Sequence, residues 1–126
     1  MLRKAVLATL LTFMTLSAEN RIFELRTYTA VPGKLDNVVA RFRDHTVKLF
    51  EKHGMQNIGY WVAKDQPDTL IYVISHKSRD AAKASWDNFR KDPEWVKARD
   101  ASEVSGKIVA KVDSVFMDAV DFSKIK

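Results

Sequence analysis

The segment 22-IFELRTYT-29 decides how the rest of the chain is interpreted, because its residue types alternate with a period of two. β-Branched and aromatic residues dominate it, and that composition is typical of a β-strand. Alternation places Phe23, Leu25 and Thr27 on one face of the strand. The opposite face carries a mixed set, namely Ile22, Glu24, Arg26 and Tyr28. Val31-Pro32-Gly33 then ends the strand as a turn.

A long helix and a hairpin are predicted after this strand. Apolar residues recur at intervals of three and four from residue 35 to residue 50, which predicts a helix that ends at His53-Gly54. Residues 57–63 and 69–76 are rich in aliphatic and aromatic residues and are separated by a polar turn. They are therefore predicted to form two antiparallel strands.

The last third of the chain is predicted to add two helical segments and a final strand. Ser78 and Asp92 are suitable caps for the two helical segments, and Pro93 suits the first helical position of the second one. Residues 108–122 form the final strand, where poor alternation predicts either a bulge or a strand shared between two sheets. The resulting order is β-α-β-β-α-β, an α+β ferredoxin-like arrangement with helices on one face of an antiparallel sheet.

The two sheet faces lead to a prediction about assembly. We expect the apolar helix stripes to pack against Phe23, Leu25, Ile71 and Val73. The other face would then expose a surface too apolar for water and too polar for an ordinary core. That face comprises Ile22, Glu24, Arg26, Tyr28, Leu70, Tyr72, Ile74 and His76. A second copy packed sheet against sheet would enclose it in a cavity with a mixed lining, so we expect a homodimer.

Composition excludes several classes of function. A chain of 126 residues suits a single domain, and the absence of cysteine excludes a disulfide framework, a thiol nucleophile and thiolate-bound metals. The net charge of +5 comes from 21 basic and 16 acidic residues spread along the chain, so no nucleic-acid partner is expected. No Glu-x-x-His or His-x-His motif is present, so neither a metal site nor a cofactor is predicted.

The first 18 residues are predicted to be a signal peptide, and residues 19–126 the mature domain. Basic Arg3 and Lys4 precede an uncharged run over residues 5–16, and small or polar Ser17 and Ala18 follow. A run of about twelve residues is shorter than the roughly 20 needed to span a bilayer, so no stable membrane anchor is expected. The predicted location is secreted or periplasmic. An organelle presequence and a buried N-terminal helix are the alternatives.

Several motifs resemble, in the same order, those of the NIPSNAP family in the dimeric α/β-barrel superfamily. The opening strand followed by Pro32-Gly33 is similar to the start of the family's domain. Further similar segments are residues 42–45, 49–54, 58–61 and 88–95. The resemblance covers roughly residues 21–122, and it implies a homodimeric barrel with a ligand-sized interior. On the third strand, Tyr72 and Ile74 stand where the family tends to have His and Trp.

Glu24, Arg26 and Tyr28 are the first candidates for a binding site. They lie two residues apart and so recur about every 6.6–6.8 Å along one face of a strand. Arg26 could bind a carboxylate, Glu24 could move a proton and Tyr28 could donate a hydrogen bond to a carbonyl group. The structural alternative is a buried Glu24–Arg26 ion pair that sets the strand register. Both interpretations stay open on the sequence alone.

Four further residues are candidates for the same site. His45 lies at the border of the first helix's apolar stripe, where it would act as a general base or simply pack. Trp61 would either wall the cavity or simply pack. Tyr72 and His76 share the face of Glu24, and the alternative for His76 is an exposed residue at the end of its strand. Two functions follow from these candidates. One is ligand binding without turnover, and the other is cofactor-independent chemistry on a small carbonyl-bearing or aromatic compound.

Export can be tested on the mature chain. Because a basic start precedes an uncharged run, we expect protein purified from an export-competent host to begin near residues 18–20. Intact-mass spectrometry measures this directly. A mass equal to that of all 126 residues would contradict export.

Overall fold

Four antiparallel strands and a layer of helices make up the fold. The computed structural model describes residues 4–6, 8, 9 and 20–126, so the predicted cleavage position at Ser17 or Ala18 lies outside the described residues. The strands are β1 (Ile22–Ala30), β2 (Gln56–Val62), β3 (Thr69–His76) and β4 (Val109–Asp118). They pair in the order β2-β3-β1-β4, with β1 between β3 and β4. The predicted ferredoxin-like topology is confirmed.

The first predicted helix contains an interruption. It consists of α1 (Leu35–Arg41), a π-helical turn (Phe42–Thr46) and α2 (Val47–Lys52). The hydroxyl of Thr46 donates to the carbonyl oxygen of Arg41, five residues earlier. The chain leaves α2 through His53 and Gly54, and Gly54 has φ +81°, the left-handed conformation expected at a helix C-terminus.

The second helical region begins and restarts at the predicted caps. In α3 (Arg79–Lys91), the Ser78 hydroxyl accepts the backbone N–H of Ala81 at 3.0 Å. In α4 (Pro93–Ser102), the Asp92 carboxylate accepts the N–H of Glu94 at 2.9 Å. Throughout the part of the chain that the structure covers, every helix is too short or too polar to cross a bilayer.

The sheet face that packs against the helices is the opposite of the one predicted. The core includes Leu70, Tyr72 and Ile74, and Tyr28 packs against it from β1. Register places Glu24 beside Ile74 and Arg26 beside Tyr72, so both charged residues lie on this covered face. The predicted packing partners Leu25, Ile71 and Val73 lie on the other face, where they are partly exposed, and Phe23 shares that face while being buried.

Two features of the sequence caused this error. In β3, both alternating sets of side chains are apolar, so alternation does not distinguish the faces. In β1, the charges of Glu24 and Arg26 made their face look unsuitable for a core. The structure buries them because each neutralises the other.

The uncovered face is apolar across the middle of the sheet. Trp61 is 56% exposed and Val115 is 55% exposed, and Leu25, Ile71 and Val73 lie between them. The indole of Trp61 lies against Gly59, where an added Cβ would overlap the ring. Within the part of the chain that the structure describes, one apolar sheet face is therefore left without a partner.

The last strand is irregular at its start, as predicted. Thr29 pairs with Lys111 and Ala30 with Val109, so Ala110 is an extra residue that forms a bulge. β4 ends at Asp118, earlier than the predicted residue 122. β4 is the edge strand of the sheet that the described residues form, and its helix-side residues Val112 and Ser114 are exposed.

Candidate functional site

The carboxylate of Glu24 is the centre of a buried polar cluster between the sheet and α3. Glu24 is only 1% exposed, although it lies on a strand. Register brings it beside Ile74 of β3 and Phe116 of β4. Its side chain points towards the helices because the alternation of β1 directs it to the same side as Arg26 and Tyr28. We name Glu24 and the four residues that donate hydrogen bonds to it the Glu24 cluster.

Four donors serve the two oxygens of this carboxylate. Oε1 accepts from His76 Nε2 at 2.9 Å and from the indole N–H of Trp86 at 2.9 Å. Oε2 accepts from Arg26 at 2.7 Å and from the Ser114 hydroxyl at 2.8 Å. The donors come from β3, α3, β1 and β4, so one side chain ties together three strands and a helix.

The protonation of Glu24 follows from these contacts. Burial alone raises the pKa of the carboxyl group, but the hydrogen bonds from His76, Trp86, Arg26 and Ser114 outweigh it. Together they lower the pKa of Glu24 from 4.5 to about 2. A carboxylate with so low a pKa is a poor proton acceptor at neutral pH. The arrangement therefore favours a fixed negative charge over the proton-transfer role considered for Glu24.

Two nitrogen atoms of the cluster are buried without a partner. Because the carboxylate only accepts, His76 must donate through Nε2, and its Nδ1 has no hydrogen-bond partner among the described residues. The same holds for Nε of Arg26, whose side chain is 14% exposed. The Arg26 guanidinium lies 4.3 Å from the centre of the Trp86 ring and 5.6 Å from that of Tyr28.

Two tyrosines extend the cluster along the sheet. The hydroxyl of Tyr72 lies 3.4 Å from that of Tyr28, and the Tyr72 ring stacks on Tyr60 with centroids 5.0 Å apart. Burial raises the pKa of Tyr72 well above 10. The Tyr72 hydroxyl therefore stays protonated at neutral pH and donates its hydrogen towards the Tyr28 oxygen.

The structure brings together five of the seven residues that the sequence singled out. The grouped residues are Glu24, Arg26, Tyr28, Tyr72 and His76. They point into the protomer, beneath the helices, rather than into a cavity between two sheets. Trp61 lies on the uncovered face of the sheet. His45 lies on the π-helical turn, exposed beside Arg41 and Ser102, and does not reach over the sheet.

Trp86 and Ser114 are cluster residues that the sequence did not identify. Trp86 is a core residue. A buried indole nevertheless needs an acceptor for its N–H group, and that requirement pointed to a nearby carboxylate. Ser114 pairs with Arg26 in the register of β1 and β4, but the irregular alternation of β4 concealed the side on which it lies.

A groove runs beside the cluster between α3 and β4. Its volume is about 410 Å³, and its walls include the outer side of Trp86 and the ring of Phe116. Arg79, Lys83 and Arg90 of α3 line its edge. Among the described residues there is no group of three or more His, Asp or Glu side chains that could hold a metal ion.

Comparison with known proteins finds a matching protein family and solved structures with a similar fold. The profile of the NIPSNAP family matches residues 23–124. A crystal structure of a NIPSNAP family protein of unknown function from Agrobacterium tumefaciens is similar over 87% of this chain and 97% of that chain, with a TM-score of 0.74 and 16% identity. An uncharacterised NIPSNAP-like domain protein from Burkholderia xenovorans is similar over 84% and 90% of the two chains, with a TM-score of 0.71 and 14% identity.

A more distant structural similarity is to a putative antibiotic biosynthesis monooxygenase from Caulobacter crescentus. It covers 82% of this chain and 92% of that chain, with a TM-score of 0.59 and 17% identity. At this identity the similarity shows the fold alone. Comparison with curated proteins gives no match.

The Glu24–Arg26 pair can be tested by a double-mutant cycle. Arg26→Met keeps the apolar stem against Trp86 but removes the charge, and we expect the free energy of unfolding to fall by about 3 kcal/mol. Adding Glu24→Gln should recover part of the loss, with a coupling energy of about 1–3 kcal/mol in urea denaturation. Lys83→Met removes an exposed partner of Asp87 and should leave stability nearly unchanged. Additive effects of the two cluster substitutions would show that the pair does not interact.

Proposed function

The chain belongs to the NIPSNAP family, and on that basis we propose that it is an exported, homodimeric domain that binds a small polar molecule beside the Glu24 cluster. No catalytic step is required for this function. The basic start and uncharged run within residues 1–18 support export, and the apolar sheet face supports the dimer. The ligand site is the main part of the proposal.

The unpartnered nitrogens of His76 and Arg26 are the observation that carries ligand binding. A buried ion pair with a purely structural role has its polar atoms satisfied, since each unsatisfied group costs about 1–3 kcal/mol. Here two residues bonded to the same carboxylate each leave one nitrogen without a partner inside the described chain. A buried unsatisfied group calls for an explanation, and a bound polar molecule that pairs with these two nitrogens supplies one.

The site lies within each protomer, and the dimer forms through the opposite face. Leu25, Trp61, Ile71, Val73 and Val115 make that face apolar and uncharged at its centre. A second copy is the matching occupant, because a neutral apolar face is complementary to itself across a two-fold axis. Dimerisation in this manner also agrees with the superfamily that the sequence resembles. It leaves the groove beside α3 outside the interface centre.

A catalytic role is the second candidate, and the Glu24–His76 pair is the observation that favours it. Glu24 accepts from Nε2 of His76 and so leaves Nδ1 as the nitrogen able to take a proton from a bound compound. Turnover would then require a small acidic or carbonyl-bearing substrate. Chemical change of a bound compound, followed over hours, separates this role from binding alone.

Dimerisation can be tested at the centre of the apolar face. Ile71 pairs with both Thr27 and Trp61, so Ile71→Glu places a charge where two copies would meet. We expect sedimentation of the unchanged protein at micromolar concentration to give a dimer, and Ile71→Glu to give a monomer or an unfolded chain. Val104→Glu is the matched control, because Val104 is exposed away from the sheet. A monomeric unchanged protein would contradict the proposal.

Ligand binding can be tested by NMR with a library of small polar molecules. Binders should move the indole N–H signal of Trp86 and the backbone signals of Arg26 and His76. Glu24→Gln removes the charge that orients both residues, and we expect it to weaken binding by about tenfold, equivalent to about 1.4 kcal/mol. Glu94→Gln, at an exposed carboxylate on α4, is the control and should change nothing. Binding that is insensitive to Glu24→Gln, or no binder in the library, would contradict the site.

A further inference from the structure

The groove between α3 and β4 has an aromatic lining and a cationic edge. Because β4 is an edge strand and α3 does not cover it, Phe116 remains only partly buried on the helix side of the sheet. Trp86 forms the facing wall from α3. Arg79, Lys83 and Arg90 are separated by four and seven residues, so α3 presents all three towards the same groove. Its volume of about 410 Å³ is within the range of small-molecule sites.

The ion pairs beside the groove leave the guanidinium of Arg79 available to bind an anion. Lys83 and Arg90 share the carboxylate of Asp87, at 3.1 Å and 3.5 Å. Arg79 has no carboxylate within ion-pair distance among the residues that the structure describes. Its Cζ lies 3.9 Å from the centre of the Phe116 ring, and this stacking holds the planar group at the edge of the groove. Three cations against Asp80 and Asp87 leave the groove with a net positive charge.

The Glu24 cluster holds the aromatic wall in place. The indole N–H of Trp86 donates to Glu24, and the Arg26 guanidinium lies 4.3 Å from the ring on the buried side. Arg90 lies 5.5 Å from the same ring. A wall that is already fixed loses little conformational freedom when a ligand packs on it, which favours binding. Arg79 therefore offers a directional anion site next to a preorganised aromatic surface.

We infer that this groove binds a small aromatic carboxylate. The carboxylate accepts two N–H bonds from the planar guanidinium of Arg79, in the bidentate geometry that arginine favours. The aromatic ring packs between Trp86 and Phe116, which supply apolar area and ring edges for contact. The inference rests on the proposed binding of a small polar molecule beside the Glu24 cluster and names a chemical class for the groove that adjoins it. It also places the ligand on the outer side of Trp86, next to the cluster.

Benzoate and its neutral isostere benzamide test the inference on the purified full-length protein. We expect sodium benzoate to shift the indole N–H signal of Trp86 in a saturable manner. Benzamide should bind with an affinity at least about tenfold lower than that of benzoate. Arg79→Gln should weaken benzoate binding by about tenfold and leave benzamide unchanged. Arg79→Lys keeps the charge but loses the planar fork, so its effect should be smaller.

Arg99→Gln is the matched control. Arg99 is a partly exposed arginine on α4 whose ion pair among the described residues is with its neighbour Asp100, so benzoate affinity should not change. Benzoate binding that is equal in Arg79→Gln and the unchanged protein would overturn the inference, as would equal binding of benzoate and benzamide. If other library members bind at His76 and Arg26 without needing Arg79, the groove inference fails and the proposed function stands. If no molecule binds anywhere, both fail.

Discussion

The buried carboxylate of Glu24 is the interaction on which the arrangement of the sheet and α3 depends. Removing a carboxylate from water costs several kcal/mol unless charged and polar donors compensate for it. Four donors do so here, and each comes from a different element: Arg26, His76, Trp86 and Ser114. A shift in register between β1 and either neighbour would break at least one of these bonds. The cluster thus specifies the pairing of the strands as well as the seating of α3.

Because of this cluster, the two faces of the sheet differ in polarity and in what covers them. The polar atoms on the covered face are mostly bonded to one another, so that face can also hold the aromatic core around Tyr72 and Phe42. The other face carries apolar side chains, and the described residues form no comparable polar network at its centre. The apolar area of this face contributes little hydrophobic stabilisation within the protomer, because much of it remains exposed. Its apolar area becomes useful only when a second surface covers it.

The edge position of β4 connects the cluster with solvent. Ser114 reaches Glu24 from a strand whose helix side is open, and Phe116 lies in the adjoining groove. Trp86 belongs to both places, since its N–H donates to Glu24 and its ring lines the groove. A single indole ring, that of Trp86, therefore separates the buried charge of Glu24 from the groove between α3 and β4. Through this ring the buried charge fixes one wall of the proposed binding groove without itself being exposed.

The sequence by itself determined the element order, the helix caps at Ser78 and Asp92, and the family, because these depend on local residue types and spacing. It also grouped most of the cluster residues, since period-two alternation places them on common strand faces. Only the tertiary structure decided which face the helices cover. Both faces of β3 are apolar, and a charged pair such as Glu24–Arg26 enters a core only when distant donors surround it. Those donors, Trp86 and Ser114, are 62 and 90 residues away from Glu24, and no local pattern links positions so far apart.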